Sequence, residues 1–167
     1  MATIKFKNSR KVLPVYGSLK DTLGYAIVHQ EDLSYIVLDK VKFKGMTFRN
    51  ARFPHGSFRD SNITWTFFVG ADLRYVDFTD SDLRGCSFFG ADLSHAKFIN
   101  VDLRYTDLSY TICNYANFSG AIVDDTTTIL GAVLGKAKNA QQLISRATPQ
   151  DDPDIESAIK DLVGHRN

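Results

Sequence analysis

A bulky apolar residue recurs at every fifth position through the middle of the chain. Cut into groups of five, residues 71–108 read ADLRY VDFTD SDLRG CSFFG ADLSH AKFIN VDLRY TDL, and the third letter is always Leu or Phe. The first letter is small or β-branched, and the other three are mostly polar. A period of five fits neither an α-helix nor a flat strand, whose faces repeat every 3.6 and every two residues. The pattern therefore indicates a short tandem repeat.

The third position of each group, here called the centre of the repeat, stays apolar without interruption over nineteen repeats. The centres are Leu33, Leu38, Phe43, Phe48, Phe53, Phe58, Ile63, Phe68, Leu73, Phe78, Leu83, Phe88, Leu93, Phe98, Leu103, Leu108, Cys113, Phe118 and Val123. The position two residues earlier is mostly small, as at Ala71, Val76 and Ala91. Repeats this short cannot each bury an apolar face alone, so stacked repeats are expected to share one continuous interior.

This pattern resembles the pentapeptide-repeat family, whose motif is A(D/N)LXX. Ala71-Asp72-Leu73 and Ala91-Asp92-Leu93 match the motif, and Ser81-Asp82-Leu83 is one of several near matches. The resemblance covers residues 31–125 and implies an all-β fold, a right-handed quadrilateral parallel β-helix. Four repeats, or 20 residues, would make one coil, and nineteen repeats would make nearly five coils.

The segment before the repeats, residues 1–30, is expected to cap the first coil. Ile4–Lys7 and Lys11–Leu13 read as two short strands around a polar turn. A helix is predicted to follow, with Ser18 as its N-cap and Asp21 in its first turn. Such a hairpin–helix preamble resembles the one found in bacterial and phage members of the family. It would cover the exposed ladder edge of the first coil.

The segment after the repeats, residues 126–167, breaks the period and predicts helices. One short helix is expected near Lys138–Ala147, and a second should begin at Asp152 with Pro153 in its first turn. Its apolar stripe needs a surface to pack on. This segment is either a helical lid over the last coil or a dimerisation element, so both a monomer and a C-terminal homodimer remain open.

Composition and charge narrow the functional classes further. The 167 residues carry a net charge of +1, so the overall charge of the protein does not indicate nucleic-acid binding. The charge is uneven: residues 1–30 carry +4, residues 31–70 carry +2 and residues 71–125 carry −5. Neither a signal peptide nor an apolar run of roughly 18 residues is evident. Two cysteines fit a reducing compartment, so a cytoplasmic location is expected.

Writing the sequence at 20 residues per coil predicts columns of side chains on the outside of the shaft. One column alternates Tyr and His: Tyr35, His55, Tyr75, His95 and Tyr115. Stacked rings in successive coils would form an aromatic ladder. The two histidines are two coils apart, about 10 Å, which is too far to share one metal ion. The column is therefore interpreted as structural.

Four apolar residues fall on outward or corner positions that the family usually fills with polar side chains. They are Trp65, Phe67, Val69 and Phe89. An outward apolar cluster is typical of a docking surface, either for the protein's own terminus or for a partner protein. Both occupants stay open at this point. These residues are the best candidates for a binding site in the chain.

The acidic residues of the second half suggest another hypothesis. Asp72, Asp82 and Asp102 each stand two positions before an Arg, which favours a solvated lattice of ion pairs. Some pentapeptide-repeat proteins, however, resemble B-form DNA in size and charge and inhibit or protect DNA gyrase. The residues that would imitate phosphates here are Asp77, Asp80, Asp82, Asp102, Asp107, Asp124 and Asp125. This resemblance implies a DNA topoisomerase as a possible partner, without direct binding of nucleic acid.

Catalytic chemistry has little support in the sequence. Cys86 and Cys113 both fall on inward positions, and no catalytic triad, glycine-rich phosphate loop or zinc spacing is recognisable. No catalytic residue, cofactor or metal is predicted. The sequence predicts a non-enzymatic protein–protein interaction module on a rigid solenoid. The alternative is a DNA-mimicking modulator of a DNA-binding enzyme such as gyrase.

Overall fold

The computed structural model of the chain describes residues 4–7, 13 and 17–146. Its regular elements are β1 (Lys5–Phe6), α1 (Leu19–Val28), β2 (Ile36–Val37) and α2 (Gln141–Arg146). Between β2 and α2 the chain is a stack of coils joined by parallel bridges of one residue each. The solenoid predicted from the five-residue period is confirmed, although its regular strands are very short.

The bridges set the length of one coil. From Val37↔Ser57 to Asp102↔Ile122, every parallel bridge joins residues 20 positions apart. Beside each bridge the backbone of a centre also contacts the next coil, as where the Phe53 N–H donates to the Asp72 carbonyl at 2.8 Å. Four repeats therefore make one coil, and residues 20 apart lie in columns along the shaft.

The centres of the repeats form the interior. All nineteen predicted centres are buried. The Phe58, Phe78 and Phe98 rings stack in successive coils, with centroids 5.4 and 5.3 Å apart. Phe78 also meets Phe68 edge-on across the interior, at 6.1 Å. The alternation of Leu and Phe along residues 68–98 thus places aromatic rings on two sides of each coil and aliphatic side chains on the other two.

Small residues fill the second inward position, and several of them are polar. The Ser81 hydroxyl donates to the Phe58 carbonyl at 2.6 Å, and the Thr106 hydroxyl donates to the Leu83 carbonyl at 3.2 Å. Both acceptors belong to the preceding coil. At Ser81 and Thr106 these bonds avoid an unpaired buried donor, which would cost about 1–3 kcal/mol each, whereas the buried Thr66 hydroxyl has no such bond. They add coil-to-coil contacts that the apolar pattern did not predict.

The N-terminal segment packs on the first coil. The helix α1 has the predicted cap, because the Ser18 hydroxyl accepts from the Asp21 N–H while the Asp21 carboxylate accepts from the Ser18 N–H. Leu23 and Ala26 of this helix are buried in the core. The strand β1 pairs antiparallel with β2 of the first coil, a pairing that the predicted hairpin did not include. Most of the second predicted strand, Lys11–Leu13, lies outside the described residues.

The repeats continue beyond residue 125, where the sequence analysis ended them. One extra residue enters between Val123 and Ile129, and the later bridges join residues 21 apart, the last being Asn117↔Lys138. Ile129 and Leu134 take the buried centre positions. The five-residue pattern misses this continuation because the insertion shifts its register by one. The fold itself tolerates the extra residue at a corner, where the chain faces solvent.

The short C-terminal helix predicted near residue 138 is present as α2. Leu143 of this helix is buried, and Ile144 packs partly against the core. The second predicted helix, beginning at Asp152, lies outside the described residues. Among the residues that are described, no helix has the length and apolar content that crossing a bilayer requires.

Candidate protein-binding surface

Each repeat ends in a corner whose last residue often has positive φ. Trp65 and Tyr75 adopt φ of 57° and 61°, a conformation that side-chain-bearing residues rarely take. This backbone turns the chain by one side and points the side chain outward. Successive coils therefore display their corner residues in regular columns, which fixes their spacing.

The Tyr/His column forms the predicted aromatic ladder. The rings of Tyr35, His55, Tyr75, His95 and Tyr115 stack with centroids 4.5–4.8 Å apart and planes within 7° of parallel. This spacing follows from the coil repeat, since neighbouring strands lie about 4.7–4.9 Å apart. Lys136 continues the column, with its ammonium 5.5 Å from the Tyr115 ring centroid. The faces of the inner rings are occupied by each other, which leaves only edges for a ligand.

Three of the four apolar candidates are exposed large side chains. Trp65 is 50%, Phe67 44% and Phe89 43% exposed, while Val69 is half-buried. Trp65 lies at one corner of the coil, and Phe67 lies on the side that follows this corner. Val69 and Phe89 stack in one column of the next corner, where the Gly70 N–H donates to the Phe89 carbonyl at 2.9 Å. The four residues therefore lie along one side of the shaft and its two corners.

The same side carries further apolar residues that the sequence reasoning missed. Tyr110 contacts the Phe89 ring at 5.3 Å between centroids, and its N–H donates to the Leu130 carbonyl at 2.7 Å. Tyr105 lies two coils beyond Trp65 in the same column. Tyr105, Tyr110 and Leu130 are all exposed. The columns could have revealed the two tyrosines, whereas Leu130 lies after the one-residue insertion that hides its register.

We call this surface the apolar face. It consists of Trp65, Phe67, Val69, Phe89, Tyr105, Tyr110 and Leu130. Ile112 and Val133 extend it around the corner, because they are both exposed and are bridged to each other on the adjacent side. Exposed aromatic and aliphatic side chains in such a contiguous arrangement are typical of protein-binding surfaces.

The acidic columns form a regular lattice with arginine. The Arg74 guanidinium binds Asp72 through two nitrogens, each 2.8 Å from a carboxylate oxygen, and lies 3.9 Å from Asp92 of the next coil. Arg84 repeats this arrangement between Asp82 and Asp102. The hydrogen bond from Arg74 holds the pKa of Asp72 below its ordinary value. The predicted ion-pair lattice is thus present at these positions.

The other acidic candidates have different surroundings. Asp77 lies 3.3 Å from the Lys97 ammonium; burial alone would raise its pKa, but bonds from Thr79 and Lys97 outweigh this and lower it. Asp80 accepts from Asn100 at 3.0 Å, and Asp107 accepts from Thr128 at 3.0 Å.

At the far end of the acidic segment, Asp124 accepts from Thr126 within the insertion, and Asp125 is exposed. The candidates Asp77, Asp82 and Asp102 are therefore each offset by a nearby cation. Asp80, Asp107 and Asp124 are held by neutral donors instead.

The cysteines lie in the interior, as the repeat register predicts. Burial raises the pKa of Cys86 to about 12 and that of Cys113 to about 12, so both thiols stay protonated and unreactive at neutral pH. Over residues 4–7, 13 and 17–146, no group of three His, Cys, Asp or Glu side chains could hold a metal ion. What the described surface offers is shape, apolar contact and a fixed pattern of charge.

Comparisons with known proteins found a family model and several solved structures that resemble this chain. Residues 35–108 match a protein-family model described as "Pentapeptide repeat region". No curated protein matches the chain. Among solved structures, QnrB1, described as a plasmid-mediated fluoroquinolone resistance protein, is 17% identical, with 60% of this chain and 66% of that chain covered and a TM-score of 0.41.

Two cyanobacterial proteins give similar values. HetL of Nostoc sp. strain PCC 7120, described as involved in heterocyst differentiation regulation, is 16% identical over 73% of this chain and 64% of its own, with a TM-score of 0.37. Rfr23 of Cyanothece 51142 is 14% identical over 67% of this chain and 99% of its own, with a TM-score of 0.33. The chain spans about two thirds of the length of QnrB1 and of HetL.

Proposed function

Because this chain is a pentapeptide-repeat protein, we propose that it is a non-enzymatic module that binds another protein through its apolar face. The proposal takes the shaft to be the right-handed quadrilateral helix that the family resemblance implies, with nearly five coils in residues 31–125. The single observation that carries it is the contiguous exposure of Trp65, Phe67 and Phe89 on one side.

The apolar face suits a protein partner for two physical reasons. Its aromatic side chains carry large contact areas, and aromatic residues dominate the energetics of protein interfaces. Its backbone is fixed by bridges to the coils on both sides, as where Phe67 pairs with Thr47 and Ser87. A rigid surface loses little conformational entropy on binding, so more of the contact energy appears as affinity.

A capture experiment with matched variants tests the proposal. The full-length protein is immobilised beside a Phe67→Ser/Phe89→Ser variant and a Tyr35→Ser/Tyr115→Ser control. The control removes two aromatic side chains of similar exposure from the ladder corner, away from the apolar face. We expect a protein that is retained by the wild type and the control and is lost from the Phe67/Phe89 variant.

The captured protein is then purified and its affinity measured directly. Truncating two central aromatic contacts should weaken binding by about 2–4 kcal/mol, or roughly 30- to 1,000-fold. An interface based on apolar contacts should also change little between low and moderate salt. Equal loss of binding in both double variants would contradict a role for the apolar face.

The alternative function is DNA mimicry, directed at an enzyme such as DNA gyrase. The net charge of −5 over residues 71–125 favours it, and Asp107, Asp124 and Asp125 have no cation within ion-pair distance among the described residues. The pairing of Asp82 and Asp102 with arginines weakens it, because a paired carboxylate is a poor substitute for a phosphate.

A gyrase supercoiling assay separates this alternative from the first proposal. Inhibition or protection at micromolar protein, lost in an Asp107→Asn/Asp124→Asn/Asp125→Asn variant and at raised salt, would favour mimicry. The Phe67→Ser/Phe89→Ser variant should keep that effect, since it leaves the charges unchanged. The absence of any effect by the wild type at micromolar concentration would rule gyrase out as the target.

A further inference from the structure

A cleft opens where α1 meets the first coil, on the side of the shaft that carries Lys42. It has a volume of 550 Å³ and lies between the first turn of α1 and residues 40–46. This volume is within the range of roughly 300–1,000 Å³ that is usual for small-molecule sites. We call it the lysine cleft, after the four lysines that line it: Lys20, Lys40, Lys42 and Lys44.

The lysines of the cleft have no acidic partner among the described residues. The ion pairs found in residues 17–146 involve other cations, namely Arg74, Arg84, Lys97 and Arg104. Two carboxylates adjoin these lysines in sequence. Asp21 accepts hydrogen bonds from Ser18 at the cap of α1, and Asp39 accepts from the Ser57 hydroxyl and the Arg59 N–H. Four lysines therefore line one cleft with no carboxylate within ion-pair distance among the described residues, and an anion bound there would relieve their mutual repulsion.

The remaining lining of the cleft is largely apolar. Leu19 and Val41 are half-buried, and Phe43 and Met46 are almost fully buried. An apolar lining beside a cationic rim matches a ligand with an apolar body and a negative head group. A simple inorganic anion would leave that apolar surface unused.

The charge pattern around the cleft favours a small ligand over a long polyanion. Lys42 begins a column whose next members, one coil apart, are Asn62, Asp82 and Asp102. A nucleic acid that lay along this side would leave the lysines and meet carboxylates about 10 Å further on, two coils away. A ligand that stays within the cleft avoids them.

We propose that the lysine cleft binds a small soluble amphipathic anion, an organic molecule with an apolar body and a phosphate, sulfonate or carboxylate head. The lysines contact the head group, and Leu19, Val41, Phe43 and Met46 contact the body. This site is separate from the apolar face and does not depend on the function proposed above.

Fluorescence titration with anilinonaphthalene sulfonate tests the site, since this probe has the required chemistry. The full-length wild type is compared with Lys42→Gln/Lys44→Gln and with Lys136→Gln/Lys138→Gln. The control pair has the same spacing and the same change of charge but lies at the other end of the repeats. Because the variant loses two charge-assisted hydrogen-bond donors to the head group, we expect saturable binding that weakens at least tenfold only in the Lys42/Lys44 variant.

Competition with two anions tests the ligand class. Decyl phosphate should displace the probe, whereas inorganic phosphate at the same concentration should not, because it cannot contact the apolar lining. Equal displacement by the two would overturn the proposal in favour of a plain anion site. Equal probe affinity in the two lysine variants, or no saturable binding by the wild type, would also overturn it. Unchanged thermal unfolding in both variants shows that neither result comes from loss of structure.

Discussion

At the residue scale, Phe78 shows how one side chain holds several coils together. Its ring contacts four other phenylalanine rings, with centroid distances of 5.3–6.1 Å. Two of these rings stack above and below it, and two meet it edge-on from the opposite side. Its stabilising effect is therefore spread over three successive coils, and a change there should affect more than its own repeat.

Truncation of Phe78 should be severe. Phe78→Ala leaves a cavity in a fully buried position and should lower the free energy of unfolding by about 3–5 kcal/mol, measured by urea denaturation followed by circular dichroism. Phe78→Leu should cost clearly less, because it keeps most of the apolar volume and Leu already occupies the neighbouring centres. Similar losses for the two variants would show that volume at this position is not what stabilises the shaft.

Gly85 shows a requirement that the apolar pattern does not contain. It has φ of +70°, and a Cβ there would lie 2.5 Å from the Trp65 ring of the preceding coil. Gly90 has nearly the same backbone, with φ of +66°, but a Cβ there would meet nothing within 4 Å. Comparing alanine substitutions at Gly85 and Gly90 therefore separates the cost of backbone strain from the cost of a clash with the Trp65 ring.

Gly90→Ala should cost only the backbone strain, about 1–2 kcal/mol. Gly85→Ala should cost more and should also displace Trp65. Since Trp65 is the only tryptophan, a shift of the emission maximum in Gly85→Ala but not in Gly90→Ala reports that displacement directly. An unchanged emission spectrum in Gly85→Ala would contradict the close approach of ring and backbone.

At the element scale, the Tyr/His column acts as a single structural unit on one corner. Tyr75 lies 4.6 Å from the His55 ring and 4.5 Å from the His95 ring, between centroids. Tyr105 has the same φ of 61° at another corner, but it makes no ring contact among the described residues. Comparing variants of Tyr75 and Tyr105 therefore separates the stabilisation by ring stacking from the conformational cost of positive φ, which both residues share.

Tyr75→Asn should therefore destabilise the protein more than Tyr105→Asn. Asn tolerates positive φ, so the backbone is preserved in both variants. Loss of two ring contacts should lower the free energy of unfolding by about 1–3 kcal/mol at Tyr75, against roughly 0.5 kcal/mol or less at Tyr105. Equal losses in denaturant titrations would show that the ladder contributes no stacking energy.

The helices and strands at the ends were predictable to different degrees. The cap of α1 could be read from Ser18 and Asp21, because a capping box depends on residues only three apart. The pairing of β1 with β2 could not, since it joins Lys5 to Val37 across a long separation. Local hydrogen bonds leave a signal in local sequence, and distant pairings do not.

At the scale of the whole molecule, charge is arranged in columns that cross several coils. Hydrogen bonds from Arg74 lower the pKa of Asp72. At Asp77 and Asp102 burial opposes this effect, but bonds from Thr79, Lys97 and Arg104 still lower the pKa. A carboxyl group whose pKa is lower in the folded state stabilises that state above its unfolded pKa. This stabilisation is lost as pH falls through the folded pKa.

Stability should therefore be nearly constant above about pH 5 and should fall progressively from about pH 4 downward. An Asp72→Asn/Asp102→Asn variant should be less stable at pH 7 and should show a shallower acid slope. Asp125→Asn, a change at an exposed site without an ion pair, is the matched control. The measurement is the urea midpoint across pH 2–7, and identical slopes for the wild type and the double variant would contradict the charge lattice as the cause.

The sequence by itself determined the solenoid and its inward residues, and its columns followed once the family resemblance supplied a coil of 20 residues. A centre that is apolar at every fifth position specifies burial wherever the chain turns, and residues 20 apart then lie together as a consequence of the coil length. The ion pairs and the ring ladder could be predicted for the same reason, because each joins neighbours in one column.

Only the tertiary structure decided how the coils continue and what their outer surfaces present. The insertion after Val123 shifts the register, so Leu130 and Val133 join the exposed apolar surface although they follow the expected end of the repeats. The lysine cleft depends on α1 packing beside residues 40–46, which no short-range pattern encodes. The physical reason is that burial constrains the inward residues of every repeat, whereas surfaces formed by distant segments depend on packing that leaves no period in the sequence.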